Sequence, residues 1–172
     1  LISLNKVLVD AVQNQSPSKQ ATLDQDATLT ATHKSSALYC YKKYKAYQPL
    51  NTYWAEHGVL VHSEFRDGNV PAGYEQLRVL KESIGLLPKD VETVMLRSDS
   101  AGYQEELLRY CAEGEAPRVG VIEFAVAIKV SPSFKKAVSG LSQADWRPLV
   151  KHEPDGSITQ TEQEWAEVCL VP

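Results

Sequence analysis

Ala21-Thr22-Leu23-Asp24-Gln25-Asp26-Ala27-Thr28 places Thr22, Asp24 and Asp26 at alternate positions with Leu23 and Ala27 between them. Successive side chains of a strand point to opposite faces, so the spacing predicts a β-strand with carboxylates along one side and apolar groups on the other. Outward from this strand the chain keeps changing period. Downstream, Leu50 to Trp54 and Val59 to Phe65 are β-prone runs joined through Glu56-His57-Gly58, which predicts a hairpin. Gly68-Asn-Val-Pro71 punctuates the chain, with Pro71 suited to a first helical turn, and Leu77, Leu80, Ile84 and Leu87 then recur at helical steps up to Pro88. Val91 to Leu96 predicts a short buried strand running into Arg97-Ser-Asp-Ser100. Tyr103, Leu107 and Cys111 mark another helix, and Val119 to Val130 a further strand.

Upstream, Ile2 to Val12 has apolar residues at helical spacing, and Gln13 to Lys19 reads as a polar linker. Past the core the character changes. Ser131-Pro132 can cap a short helix through Val138, and Trp146 to Val150, Ile158 to Thr161 and Trp165 to Val171 read as short strands around the turn Pro154-Asp-Gly-Ser157. The expected organisation is residues 1–19 as helix and linker, 20–130 as the core, and 131–172 as the start of a β-rich region. The order of three strands, helix, strand, helix, strand is that of a ribonuclease-H-like α/β domain, a mixed sheet flanked by helices. Order alone also admits other mixed α/β arrangements, and it does not establish function.

With 172 residues, 43% hydrophobic and 23% charged, the chain can bury one core. No apolar run approaches the roughly 20 residues that span a bilayer, so no membrane association is expected. Cys40, Cys111 and Cys169 are odd in number and far apart, matching neither a disulfide framework nor zinc spacing, which suits a cytoplasmic home. The first residue is Leu1 and the sole methionine is Met95, so the chain is expected to be a piece of a longer protein.

The net charge of −4 argues on its own against a nucleic-acid partner. Yet no acidic residue lies between Asp26 and Glu56, a stretch that holds Lys34, Lys42, Lys43 and Lys45 with Tyr39, Tyr41, Tyr44 and Tyr47 among them. Such a segment can offer cations to phosphates and rings to sugars or bases. It can equally be a solvated connection whose tyrosines pack the core edge.

Asp26 in the first strand and Asp99 after the fourth would meet in a ribonuclease-H-like sheet, where those strands are neighbours. Such a pair can hold Mg²⁺, a hard ion that takes oxygen ligands. On spacing alone, a solvated strand face at Asp24 and Asp26 and a helix cap at Asp99 explain the acids as well. His62 and Glu64 lie two apart on one strand without a third ligand, and Arg66 and Asn69 suit structural roles. No cysteine neighbours a base that would make it a nucleophile.

Four blocks decide between these readings: Leu23-Asp-Gln-Asp-Ala-Thr28, Tyr47-Gln-Pro-Leu50, Phe65-Arg-Asp-Gly-Asn69 and Leu96-Arg-Ser-Asp-Ser-Ala101. In that order they resemble a family of DDE transposases from bacterial insertion sequences, over roughly residues 20–130. The resemblance implies cut-and-paste transposition. Mg²⁺-dependent nicking at the element's end, with Mn²⁺ able to substitute, is followed by attack of the freed 3′-hydroxyl on target DNA. It implies Asp26 and Asp99 as the first two catalytic, metal-binding acids and Asp24 as a neighbour; the candidate DNA contacts, Lys34, Lys42, Lys43, Lys45 and Tyr44, come from the cation and tyrosine pattern of their segment. Element-end and target DNA are the implied partners, with self-association in the complete complex and no small-molecule cofactor. The family's third acid, a glutamate on a late helix beyond a β-rich insertion, has no counterpart here: Glu153, Glu162, Glu164 and Glu167 lack that context. The chain alone is therefore expected to be inactive. A compact ribonuclease-H-like nuclease or resolvase, or a domesticated DNA-binding protein without the chemistry, are the competing readings.

Overall fold

A computed structural model of the protein describes residues 2–168, which fall into two compact units, Leu1–Ile128 and Lys129–Pro172. The first unit is built on strand β1 (Gln20–Ala27). Its Ala21, Leu23 and Gln25 are buried at 0–1% exposure, whereas Asp24 is half-buried and Asp26 exposed. The alternation read from the sequence is thus a division between core and solvent from Leu23 to Asp26, while Thr22 is buried, its N–H and hydroxyl donating to the Glu56 carboxylate.

β1 pairs antiparallel with β4 (Leu50–Trp54), and β4 pairs antiparallel with β5 (Val59–Glu64), which is the expected hairpin. The hairpin turns at Gly58 in the left-handed region (φ 62°), and its register shifts between Thr52 and Tyr53. On its other edge β1 runs parallel to β6 (Thr93–Ser98), and β6 parallel to β7 (Glu123–Val126). The sheet order β5-β4-β1-β6-β7 is a mixed sheet of the ribonuclease-H-like kind. Helices α1 (Ile2–Gln15), α2 (Gln76–Leu86) and α3 (Glu105–Ala112) pack against it. Leu23, Trp54, Val61, Leu80, Leu96, Leu107 and Ile122 are all within 1% of full burial and form the centre of the core. Each such side chain contributes roughly 1.5–3 kcal/mol by leaving water.

Several boundaries differ from the sequence reading. α1 continues through Gln15, because Gln13 is no linker residue: its amide donates to Ser18 O and Asp90 Oδ2 at 2.8 and 2.7 Å and holds the turn below the helix. α2 starts at Gln76 instead of near Pro71. Pro71 opens a turn closed by Tyr74 N donating to Pro71 O, and Glu75 adopts φ 51°, a conformation that no α-helix propagates. The strand expected over Val119–Val130 shrinks to Glu123–Val126. Gly120 at φ 66° reverses the chain just before it, and β7 is an edge strand whose Phe124 stays 42% exposed.

An unforeseen feature lies between β1 and β4. Two-residue strands β2 (Thr30–Ala31) and β3 (Ala46–Tyr47) pair and carry the Lys/Tyr segment as an excursion from the sheet. At its base Ala46 N donates to Leu38 O, Gln48 N to Arg66 O, and the Tyr47 and Phe65 rings meet at 4.7 Å.

In the second unit Ser131 Oγ accepts from Phe134 N and caps α4 (Pro132–Ser139), as the sequence predicts. β8 (Arg147–His152) and β9 (Ile158–Trp165) form a hairpin around Asp155, whose carboxylate accepts from Ser157 N, and Gly156 at φ 82°. β9 runs unbroken past the end expected at Thr161 to Trp165, because residues on both sides of the irregularity between Pro148 and Val150 pair with β8, while of the strand expected over Trp165–Val171 only Trp165 is in a strand and residues 166–168 are not. The end of the latter stretch, 169–171, lies outside the described residues. No described residue of this unit is buried.

Gly68 explains one of the sequence blocks. A Cβ there would lie 2.4 Å from the Ala46 carbonyl oxygen and 3.2 Å from that of Leu38, both backbone atoms. Gly68→Ala is therefore expected to lower stability by about 1–3 kcal/mol, the range for forced overpacking, read as a lower urea midpoint. An unchanged midpoint would contradict so close an approach.

Candidate functional site

The parallel register of β1 and β6 sets Asp24 beside Arg97 and Gln25 beside Ser98. One step further on, the two strands reach Asp26 and Asp99. Asp24, Asp26, Arg97, Ser98, Asp99 and Ala125 line one shallow, open hollow of about 260 Å³. It sits at the carboxyl ends of parallel strands, where ligands of open α/β sheets characteristically bind.

Each acid is held by local structure. Asp99 follows β6 with extended backbone and caps a 3₁₀ turn, Ser100–Gly102, where its Oδ1 accepts from Ala101 N at 2.8 Å. Asp26 Oδ2 accepts from Thr28 Oγ1 at 2.9 Å. The second oxygen of each has no hydrogen-bond partner among the described residues. Capping, one of the two explanations of Asp99 at the level of sequence, thus occupies one oxygen of its carboxylate. The turn itself is tight against β6: a Cβ at Gly102 would lie 2.5 Å from Ser98 Oγ, which donates to Gln25 O at 3.0 Å.

Asp24 is differently placed. Arg97 Nε and Nη2 donate to its two oxygens at 2.5 and 2.6 Å, a bidentate ion pair that holds the guanidinium further above its ordinary pKa. Behind the hollow, Gln25 Nε2 donates to both the backbone O and the Oε1 of Gln76 at 2.8 Å, and Gln76 Nε2 to Ala72 O. These buried amides lock the start of α2 to the strand that carries Asp26. Gln104 does the same for the Asp99 turn, donating to Gly73 O and Ala101 O at 2.6 and 2.8 Å. Sequence reasoning missed Arg97, Gln25, Gln76 and Gln104. A signal existed for two of them: Gln25 is a polar residue on the apolar face of its strand, and Arg97 precedes Asp99 by the same two positions that separate Asp24 from Asp26.

The Lys/Tyr excursion leaves the sheet at the end of β1 next to Asp26. Lys34, Lys42, Lys43 and Tyr44 are exposed, and Lys45 is half-buried with its ammonium donating to Ser35 O at 2.7 Å. Tyr39 and Tyr41 are 65% and 73% exposed, so these rings do not pack the core edge. Thr32, His33, Tyr39, Lys43, Tyr44 and Lys45 are among the residues that line a second hollow, of about 570 Å³.

Glu64 is committed elsewhere, and the buried His62 has no hydrogen bond at either ring nitrogen among the described residues. His62 Nε2 lies 3.1 Å from Glu82, while Glu64 accepts from Arg66 at 2.8 Å and also from Arg78, which ties β5 to α2. Arg66 is buried beneath the Tyr74 ring and Asn69 is exposed in the turn closed by Val70 N donating to Asp67 O. Burial pushes the Cys111 thiol up to about 11, so at neutral pH it is a protonated core group.

The family model described as Transposase DDE domain group 1 matches residues 1–167. The chain belongs to that family. A search of curated proteins finds no match. As a transposase DDE domain, the chain belongs with proteins that bind and recombine DNA, and the family's chemistry employs divalent metal ions. Among the described residues no three His, Cys, Asp or Glu side chains are grouped to hold a metal. Of the described helices in the DDE domain none is long and apolar enough to cross a membrane.

Burial raises the Glu64 carboxyl, but hydrogen bonds from Arg78 and Arg66 outweigh it and hold the group below its ordinary 4.5. A depressed folded-state pKa contributes stability that is present above about 4.5 and lost as pH falls through the folded value. The urea midpoint of the wild type is thus expected to fall more steeply than that of Glu64→Gln between about pH 5 and pH 3. Parallel pH profiles would refute the assignment.

Proposed function

We propose that this chain is part of the catalytic core of a cut-and-paste transposase which at full length cleaves and joins DNA strands with Mg²⁺, Asp26 and Asp99 being two of its metal ligands. The observation that carries this reading is the register of β1 with β6, which brings both acids to one hollow with an oxygen of each unoccupied by a protein donor. The donor set fits the ion, since Mg²⁺ is held by one or two carboxylates with water and substrate phosphate completing an octahedron. Two such ions would activate the attacking oxygen and stabilise the leaving one in an in-line displacement at phosphorus. Residues 20–130 form the core on this reading, and 131–172 the start of a β-rich insertion.

The chain's own side chains have distinct tasks. Asp26 and Asp99 hold charge and position at the strand ends. Gln25, Gln76 and Gln104 keep the two acids from moving relative to each other, which matters because a misplacement of about 1 Å can cost a hundredfold in rate. Lys34, Lys42, Lys43 and Lys45, with Tyr44, lie on the excursion at the same end of β1 and would grip the phosphates and sugars of an element end. Two carboxylates neutralise only half the charge of two Mg²⁺ ions, so a third acid is required, and the resemblance assigns it to a glutamate beyond a β-rich insertion.

The 172-residue chain is accordingly expected not to cut DNA, while a chain extended through that glutamate should nick its own element ends with Mg²⁺ or Mn²⁺. In the extended chain Asp26→Ala or Asp99→Ala is expected to reduce nicking by more than about a hundredfold. Binding to the ends should persist in both. Replacing Lys42 and Lys43 by alanine should instead weaken binding and flatten its salt dependence, by a slope of roughly one for each phosphate that is no longer neutralised. Metal-dependent cleavage by the 172-residue chain would favour a compact nuclease, and full activity of an extended Asp99→Ala chain would overturn the ligand assignment.

A further inference from the structure

Two polar rungs follow each other on one side of the β1–β6 pair. In the first, Asp24 is clasped by Arg97 through two hydrogen bonds of 2.5 and 2.6 Å. The second is the position of Asp26 and Asp99, which follow the last paired residues Gln25 and Ser98, and all four side chains line the same hollow. Asp24 and Asp26 are two residues apart on one strand face, about 6.6 Å at 3.3 Å per residue, a span that two carboxylates on one ion can close. Asp24 is thus the third carboxylate of the hollow, and with Arg97 clasping it no three acids among the described residues are grouped to hold an ion.

We propose that Arg97 is a positioning residue which withholds Asp24 from the metal, so that the chain's own contribution to the site is two carboxylates and not three. This rests on the reading of Asp26 and Asp99 as metal ligands. The bidentate fork occupies both Asp24 oxygens, and a guanidinium matches a carboxylate in this geometry where an ammonium would not. The pair is not there for stability. With side chains 54% and 39% exposed it belongs to the class of surface ion pairs contributing about 0–1 kcal/mol. Its effect is on charge and coordination. With Arg97 in place the four side chains carry a net charge of minus two, and without it minus three. A third chain carboxylate would tighten the ion but fill positions that phosphate and water need, since Mg²⁺ accepts substrate only where its coordination is left open.

The test is a Mn²⁺ titration of the 172-residue chain, following the free ion by electron paramagnetic resonance. Arg97→Gln is expected to bind Mn²⁺ at least about tenfold more tightly than wild type, in line with the tuning of divalent-ion sites by the number of charged ligands. Adding Asp24→Asn to Arg97→Gln should return the affinity to the wild-type level or below. Asp24→Asn alone should weaken binding, because Arg97 is then released toward Asp26 and Asp99. Thermal melts of all variants should stay close to wild type, and if Arg97→Gln fails to fold, Asp24→Asn alone decides. Equal Mn²⁺ affinity in wild type and Arg97→Gln, or in wild type and Asp24→Asn, overturns the proposal. The underlying reading is tested separately by Asp26→Asn: if Mn²⁺ affinity ignores that change while responding to Arg97→Gln, the ion sits elsewhere and both fall.

Discussion

The parallel pairing of β1 with β6 is the constraint on which the molecule's other arrangements depend. β1 is the middle strand, with an antiparallel hairpin on one edge and a parallel pair on the other. Leu23 and Leu96 are adjacent in the register and fully buried, so the pairing is fixed from the apolar side. A slip of one residue would turn Leu23 to solvent and Asp24 into the core, an exchange that costs several kcal/mol for the charge alone. The carboxylate side therefore inherits its alignment from the hydrophobic side. No interaction between the acids themselves, which repel, could have produced it.

Period carried most of the fold. The alternation in Ala21–Thr28, the two runs around Gly58 and the apolar steps from Leu77 to Leu87 each imply one kind of element, and those elements appear. What periodicity does not convey is where backbone geometry ends an element. Glu75 at φ 51° and Gly120 at φ 66° set the starts of α2 and β7, and neither conformation can be inferred from hydrophobic spacing. β2 and β3 are two residues long each, too short for any period. At the site, single-strand spacing put Asp26 and Asp99 at strand ends. The Asp24–Arg97 clasp joins residues 73 apart and needs the inter-strand register, which no local pattern encodes.

Charge shows a similar separation of levels. A net of −4 describes no actual surface of this protein. Glu64, Glu75 and Glu82 surround Arg78, whose pKa is raised by its hydrogen bonds to Glu64, Glu75 and Glu82, so much of the acidic excess is consumed in fastening α2 to β5 and to itself. The excursion between β2 and β3 has no acid of its own. A chain that is acidic in sum thus carries exposed lysines on an excursion that leaves β1 just past Asp26.

The close approach of Gly68 to the Ala46 and Leu38 carbonyls, together with the Tyr47–Phe65 ring pair, cinches the excursion at its neck. Beyond that neck the excursion is held by its own hydrogen bonds, Ala37 N to Lys34 O, Cys40 N to Tyr44 O and Lys43 N to Cys40 O, with Ala37 and Cys40 buried. With the ends of the excursion pinned at the neck, added length costs only about 0.6 kcal/mol of closure entropy for each doubling. The neck thus separates the alignment of the strands from the reach of the excursion, so that a change in the one need not disturb the other.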